Sequence, residues 1–379
     1  MKYLKKQISG IKLENSSEIA VIGNGPAGSF FTYFFLDLAE RIGLDVKVDV
    51  FEQQDFSRYG PAGCNHCGGI VSESLTQILS AEGIIIPSEV LQRGIQSYTL
   101  HMDIGSVNID TPLDEQRIAA VYRGAGPLGT KEHKWSSFDG YLQKLINNKG
   151  AHLIKDFVES INWNMERPHI TTRNGLSKSY DLIVGAVGLR ASSLQLFEEA
   201  GFGYRLPRTT KTYICEFKIG YELMQKYFGS SMHVFLLNIP RLEFAALIPK
   251  GDLVTMVLLG KKIDKELVNS FVNSPEVKRC FPPNWKASEN TPCQCYPRIN
   301  INTAIHPYAD RVVLVGDSAT SKLYKNGIGA AYITAKSAAT TALFHGVSES
   351  DFKKHYWPVC RSINYDNSIG KIIFTFTRL

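Results

Sequence analysis

The chain has 379 residues, of which 44% are hydrophobic, 21% charged and 11% aromatic, a balance that excludes disorder and describes a soluble, core-forming protein. Single cores stop growing below about 300 residues, so two packed regions are expected. The net charge of +6 suits an anionic membrane surface or a phosphorylated ligand, and no nucleic-acid partner is needed to explain it.

No apolar run approaches the ~20 residues that span a bilayer; the densest, from Phe30 to Ala39, is broken by Thr32 and Asp37. The basic residues Lys2, Lys5, Lys6 and Lys12 are not followed by the apolar stretch of a secretory signal. Seven cysteines, an odd number, fit reduced thiols in a cytosolic compartment better than a disulfide framework. A cytoplasmic protein is expected, with peripheral contact to a membrane left open.

After a polar lead-in, Ile19-Ala20-Val21-Ile22 reads as a strand, Gly23-Asn24-Gly25-Pro26-Ala27-Gly28 as a turn, and Phe30, Phe31, Phe34, Phe35, Leu38 and Ile42 as one face of a helix. Val46 to Phe51 is a second strand, stopping at Glu52, which completes a βαβ unit. Residues 57–72, rich in glycine and cysteine without periodicity, read as a loop built for close approach. Short strands follow from Ser97 to Val121, then a glycine break at 123–129, then a helix with Phe138, Tyr141, Leu142, Leu145 and Ile146 on one face. Residues 151–186 read as strands, the last, Asp181 to Ala186, apolar enough to be buried on both faces. Alternation over 209–260 predicts antiparallel strands at Thr212 to Ile219, Met232 to Leu237, Phe244 to Ile248 and Leu253 to Leu259. The α/β character returns with Arg311 to Asp317 and a small-residue helix over about 327–344.

Gly23-x-Gly25-x-x-Gly28 lies between strand and helix, where a dinucleotide fold needs it. The first glycine turns the chain, the second lets pyrophosphate reach backbone N–H groups, and the third packs helix on strand. Glu52, 29 positions after Gly23, ends the next strand, where a carboxylate binds ribose hydroxyls. A second element, Val312-Val313-Leu314-Val315-Gly316-Asp317, precedes the glycine-led Asn326-Gly327-Ile328-Gly329 and suits another hydroxyl and phosphate contact. Two separated nucleotide elements point to one large cofactor.

With these residues in place the chain resembles, over nearly its whole length, the flavoproteins with the p-hydroxybenzoate hydroxylase type of FAD fold, and among them the geranylgeranyl reductase family. The resemblance implies FAD as cofactor. Its ADP part would fall on Gly23, Gly25, Pro26, Ala27, Gly28 and Glu52, its ribityl chain on Asp317, and its pyrophosphate and ring on Gly327, Ile328 and Gly329. The reductase branch is carried by Cys64-Asn65-His66-Cys67-Gly68-Gly69-Ile70-Val71-Ser72, similar to that family's Cys-Gly-Gly-Gly-Leu-Ser segment beside the flavin ring; this implies Cys67 as the catalytic cysteine and Cys67, Gly68 and Gly69 as flavin neighbours. Phe244-Ala245-Ala246-Leu247-Ile248-Pro249 is similar to the aromatic-x-Trp-x-Phe-Pro stretch of its isoprenoid pocket, with Ala246 in place of the tryptophan and Ile248 in place of the phenylalanine. Phe244, Ala246, Ile248 and Pro249 are thus the expected substrate pocket. The Asp-Gly pair of the related hydroxylases is replaced by Val187-Gly188. An arginine often precedes the Phe-Asp that opens the middle helix; that position is Trp135 here, and Arg123 is the stand-in.

Cys64-x-x-Cys67 has three readings: a redox dithiol at the flavin, half of a metal site with His66 or Cys293-x-Cys295, or a buried Cys64 beside a flavin-contacting Cys67. The last is favoured, and no metal site is assigned. His101, His233 and His306 read as ordinary surface or core histidines.

The expected architecture is α/β. A Rossmann-type FAD-binding domain (18–93, 124–200 and 301–345) is interleaved with an antiparallel-sheet substrate domain (94–123 and 201–300), and a short helical segment (346–379) follows. The expected activity is reduction of C=C bonds in a polyprenyl, geranylgeranyl-type lipid or pigment, with NAD(P)H or a ferredoxin-like protein as electron donor. A flavin monooxygenase of an aromatic or polyketide-like substrate and a flavin electron-transfer protein stay open as alternatives. Terminal Ile372-Ile373-Phe374-Thr375-Phe376 reads either as a membrane-touching stretch or as core.

Overall fold

The computed structural model describes residues 10–64, 68–111, 115–128, 136–323 and 326–376. At its centre the strand Ser17–Ile22 pairs in parallel with Val46–Phe51 on one side and Leu182–Gly185 on the other. His152–Ile154 and Val312–Leu314 extend the parallel sheet outward, and Tyr308–Ala309 adds an antiparallel edge. The inner strands are apolar in unbroken runs because both faces are covered. Ile19 and Val21 pack under the helices Pro26–Arg41, Phe138–Asn148 and Gly327–Phe344. Ala20 and Ile22 face the opposite way, toward the helix Ala191–Glu199 and a three-stranded antiparallel sheet of Val158–Asn164, Arg167–Thr172 and Ser177–Ser179.

The phenylalanines at helical spacing do what their period requires. Phe30, Phe31, Phe34 and Phe35 are all buried, and Phe30 and Phe34 meet Tyr332 edge-on at 5.9 and 5.5 Å. Ala331, Ala335, Ala338 and Ala342 line the inner side of the helix bearing Tyr332 and let the two helices approach closely.

The second region is a seven-stranded sheet in the order Cys293–Cys295, Tyr213–Lys218, Leu253–Gly260, Leu242–Lys250, Ser231–Leu236, Ser97–Met102, Gly105–Asp110. It is mixed rather than wholly antiparallel, because Ser97–Met102 enters from an earlier stretch of chain and runs parallel to Ser231–Leu236. Alternate side chains separate two cores. Phe217, Phe235 and Met256 lie under the helices Tyr221–Tyr227 and Lys265–Val272. Ile214, Ala246, Ile248 and Val257 face Ile95, Ile118 and Ala120 of a small sheet built from Ile70–Val71, Leu91–Ile95 and Ile118–Val121.

Ile70–Val71, read as loop, therefore forms a short strand, and Ser72 caps the unforeseen helix Glu73–Ala81 by accepting the Leu75 N–H. The chain closes with the helix Trp357–Phe376, on which Ile372 is exposed. No helix among the described residues is long and apolar enough to cross a membrane.

Asp49 ties the parallel sheet to the antiparallel layer below it. Its buried carboxylate accepts hydrogen bonds from Lys178 Nζ (2.9 Å) and Tyr180 Oη (2.8 Å), and His152 Nδ1 stands 2.9 Å away. Burial alone would raise its pKa, but the bonds from Lys178, His152 and Tyr180 outweigh that and hold it below the ordinary 3.8. A depressed carboxyl stabilises the fold at pH above its unfolded value and loses that contribution as pH falls through the folded one. Asp49→Asn should cost about 1.5–3 kcal/mol at neutral pH and flatten the acid limb of stability below pH 4, read from urea melts between pH 2.5 and 7. A variant with an unchanged acid limb contradicts the assignment.

Candidate functional site

A cleft of 740 Å³ opens at the carboxyl ends of the parallel strands, beyond Ile22, Phe51 and Ala186. This is where doubly wound sheets bind ligands, and its volume lies within the range of small-molecule and cofactor sites. The glycine turn forms one wall through Gly23, Gly25, Pro26 and Ala27, and Glu52 and Arg123 stand beside it. Asp317, Gly327 and Ile328 line the same cleft from nearly 300 residues away in sequence. Two elements recognised separately in the sequence are thus one site.

The turn's shape demands its glycines. Gly23 has φ +98°, and a Cβ there would stand 2.5 Å from the Ala186 carbonyl oxygen. Gly28 lies behind the cleft wall, where a Cβ would overlap the Gly23 carbonyl oxygen, so helix and strand can pack only without one. The helix Pro26–Arg41 starts with no side-chain cap and with proline in its first turn, which leaves its N-terminus directed at the cleft. Glu52 is fixed by accepting the N–H groups of Asn24 (3.0 Å) and Gln54 (2.8 Å). A carboxylate offers about four acceptor sites, so capacity remains for ribose hydroxyls.

On the opposite wall Asn326 caps the helix Gly327–Phe344 by accepting the Gly329 N–H at 3.1 Å, so Gly329 supports the cleft from behind rather than lining it. Asn300, a residue of the cleft lining, donates to the Asp317 carbonyl at 2.6 Å, while its buried Oδ1 has no partner among the described residues. A ligand that donates a hydroxyl there satisfies it. Arg123 is clamped by Asp139 through paired bonds of 2.9 and 2.7 Å, with the carboxylate fully buried and the guanidinium reaching Gly25. The arginine therefore joins the Phe138-Asp139 pair to the glycine turn; Trp135 lies outside the described residues. Taken together, the glycine cradle, the half-used Glu52 carboxylate and the orphaned Asn300 oxygen fit the ADP and ribityl parts of FAD.

Cys64 also lines the cleft, and its carbonyl accepts Gln54 Nε2 at 3.2 Å. Cys67, with Asn65 and His66, lies outside the described residues. Gly68 and Gly69 are buried behind the cleft, and Gly68 faces Ile248 and Val257. Gly69 presses on Lys250, whose Nζ would be 2.9 Å from a Cβ there. Lys250 is wholly buried, with Nζ 4.6 Å above the Tyr122 ring. Beside it lies the buried Glu216, which accepts the Thr255 hydroxyl at 2.8 Å and stands 3.5 Å from Tyr122 Oη. Burial raises the Glu216 carboxyl above its ordinary 4.5, and the Lys250 charge partly offsets this.

The expected substrate residues occupy the strand Leu242–Lys250. The structure does not bring them to the cleft: Ala246 and Ile248 are closed into the core between the two sheets, Phe244 packs at its margin, and Pro249 is buried. Several cleft residues carry no local sequence signal. Asp156, Arg190, Arg298 and Lys322 bring charge to it, and Val187-Gly188, noted only as a departure, forms part of its wall. Cys293 and Cys295 lie on an edge strand paired with Tyr213–Lys218.

No protein-family model matches this sequence, and no curated protein matches it. Solved structures do. A geranylgeranyl bacteriochlorophyll reductase-like protein from Thermoplasma acidophilum aligns over 96% of this chain and 88% of its own, with TM-score 0.72 and 15% identity. A 2-methyl-3-hydroxypyridine-5-carboxylic acid oxygenase aligns over 96% and 93%, with TM-score 0.66 and 15% identity. A flavin-dependent brominase aligns over 95% and 85%, with TM-score 0.63 and 14% identity. The chain has the fold that these reductase-like, oxygenase and halogenase flavoproteins share.

Proposed function

We propose that the protein is an FAD-dependent reductase that saturates a C=C bond in a polyprenyl, geranylgeranyl-type lipid or pigment. The observation that carries the cofactor part is the convergence of the Gly23–Gly28 turn, Glu52, Asp317 and the helix at Gly327 on one cleft. The reductase part is supported by the likeness to the reductase-like protein and by the sequence of the Cys64 to Gly69 segment, whose Cys64 lines the same cleft.

FAD bound there supplies two-electron hydride chemistry. The chain's own residues bind and orient it. Backbone N–H groups at the start of the helix Pro26–Arg41 hold the pyrophosphate, Glu52 the adenosine ribose, and Asp317 with Asn300 the ribityl hydroxyls. Arg123, locked by Asp139, fixes positive charge beside the phosphates. Cys67 is the proposed proton donor at the substrate carbon. The strand bearing Phe244, Ala246, Ile248 and Pro249 backs Gly68 through Ile248 and keeps water from that side of the segment, as a reaction on an unactivated alkene needs. The electron donor is NAD(P)H or a ferredoxin-like protein, and the setting is cytoplasmic with peripheral membrane contact. An oxygenase of an aromatic substrate is the second reading, favoured by the oxygenase likeness at TM-score 0.66.

Anaerobic turnover with geranylgeranyl diphosphate under dithionite separates the two. A saturated product is expected. Strict dependence on oxygen with a hydroxylated product overturns the reductase in favour of the oxygenase, and a colourless protein that releases no FAD on denaturation overturns both.

A further inference from the structure

On the face of the seven-stranded sheet turned away from the Gly68-Gly69 loop, three side chains with metal-ligating atoms converge. His101 comes from the strand Ser97–Met102, His233 from the strand Ser231–Leu236, and Cys280 from the turn after the helix Pro275–Lys278. All three are buried, at 7%, 8% and 4% exposure, and they are the one group of three such ligands among the described residues. We propose that His101, His233 and Cys280 form a binding site for one zinc ion.

The geometry supports this atom by atom. His101 Nε2 and His233 Nδ1 are 2.9 Å apart, and Cys280 Sγ stands 3.4 Å from His233 Nδ1 and 3.8 Å from His101 Nε2. A point equidistant from the three atoms lies about 2.0 Å from each, which is a Zn–N bond length and slightly short of a Zn–S bond. Moving an ion a little out of that plane, away from the sulfur, satisfies both lengths. The second shell is also in place: Ser106 Oγ lies 2.8 Å from His101 Nδ1 and turns Nε2 toward the centre. The His101 ring is further held by stacking on Phe235 at 4.5 Å, and His233 meets Phe228 edge-on at 5.0 Å. The Glu276 carbonyl oxygen, 3.4 Å from Sγ, accepts from the thiol and fixes its direction, and the fourth position is left to a water.

Soft thiolate with two imidazoles is a zinc donor set, and it contains no carboxylate that would favour magnesium or calcium. The site's role is structural. It staples the parallel strand Ser97–Met102, inserted from an earlier stretch of chain, to the turn that carries Cys280. The proposal rests on this sheet alone and not on the flavin reading, so either can fail without the other.

The test is a Co2+ titration of the reduced, chelator-treated full-length protein in its flavin-bound form. One equivalent is expected to give the intense ligand-field bands of four-coordinate thiolate-bound Co2+ at wavelengths beyond flavin absorption, with loss of the bands when Zn2+ is added. The bands should be lost in Cys280→Ala and in His101→Gln, and kept in Cys64→Ser. Zn2+ should raise the Tm of the wild type and leave that of Cys280→Ala unmoved. Should Cys280→Ala fail to fold, the wild-type titration and His101→Gln decide. No bands in the wild type, bands that survive in a folded Cys280→Ala or His101→Gln protein, or bands lost in Cys64→Ser would each overturn the site.

Discussion

Gly28→Ala is expected to destabilise the protein by about 3 kcal/mol, the upper end for overpacking, and to yield protein that does not retain flavin. The added methyl would meet the Gly23 carbonyl oxygen, a backbone atom with no rotamer to change. Relief requires either the helix Pro26–Arg41 to lift from the strand Ser17–Ile22 or the turn to deform. The first opens the core around Phe30 and Phe31, and the second moves the N–H groups that face the cleft. Urea melts and FAD released on denaturation measure the two effects. Gly25→Ala is the milder comparison: its methyl would stand 3.0 Å from Arg123 Nη2, which Asp139 holds. A side-chain clamp rather than backbone must then give by a few tenths of an ångström, and FAD retention should fall with a smaller loss of stability than in Gly28→Ala. Wild-type stability and flavin content in Gly28→Ala would refute this account of the turn.

The second large effect is expected at Lys250. Lys250→Met leaves Glu216 buried without the cation whose charge partly offsets its burial, and is expected to destabilise the fold by about 1–3 kcal/mol. Adding Glu216→Gln should recover part of that loss, because the two positions then no longer mismatch; the double-mutant cycle measures the coupling. The pH dependence has a definite sign. A carboxyl whose folded pKa lies above its unfolded value binds more protons in the folded state, so stability falls as pH rises above the ordinary 4.5. Lys250→Met pushes Glu216 further up and should steepen that fall. Strictly additive single and double variants would show that the two side chains do not interact. Because Lys250 Nζ occupies the space beside Gly69, the variant should also disturb Gly68 and Gly69.

The glycine-turn wall of the candidate cleft was legible because its signals are local. Gly23, Gly25 and Gly28 owe their identity to one turn, and Glu52 and Asp317 to strand ends, which periodicity locates. Asn300, Arg190 and Lys322 come from segments with no periodic pattern and reach the cleft only through tertiary packing, so nothing near them in sequence marks them. The helix Glu73–Ala81 had a signal in Ser72, Leu75 and Leu79, which the glycine- and cysteine-rich stretch before it obscured. His101 and His233 were read as ordinary because their meeting depends on the pairing of parallel strands 132 residues apart, a register that neither strand's alternation encodes.

The strand order of the parallel sheet also constrains how the protein is made. Leu182–Gly185 is flanked by Ser17–Ile22 and Val312–Leu314, so during synthesis one of its edges stays open until the last third of the chain emerges. Leu314 lies 129 positions after Gly185, so at roughly 5–20 residues per second that edge stays open for roughly 6–26 s. An apolar strand with an unpaired edge is a template for association with other chains, and the Asp317 wall of the cleft does not yet exist to capture a ligand. Flavin can therefore rescue only nearly complete chains, and riboflavin starvation should lower the soluble yield of new protein before it affects protein already folded.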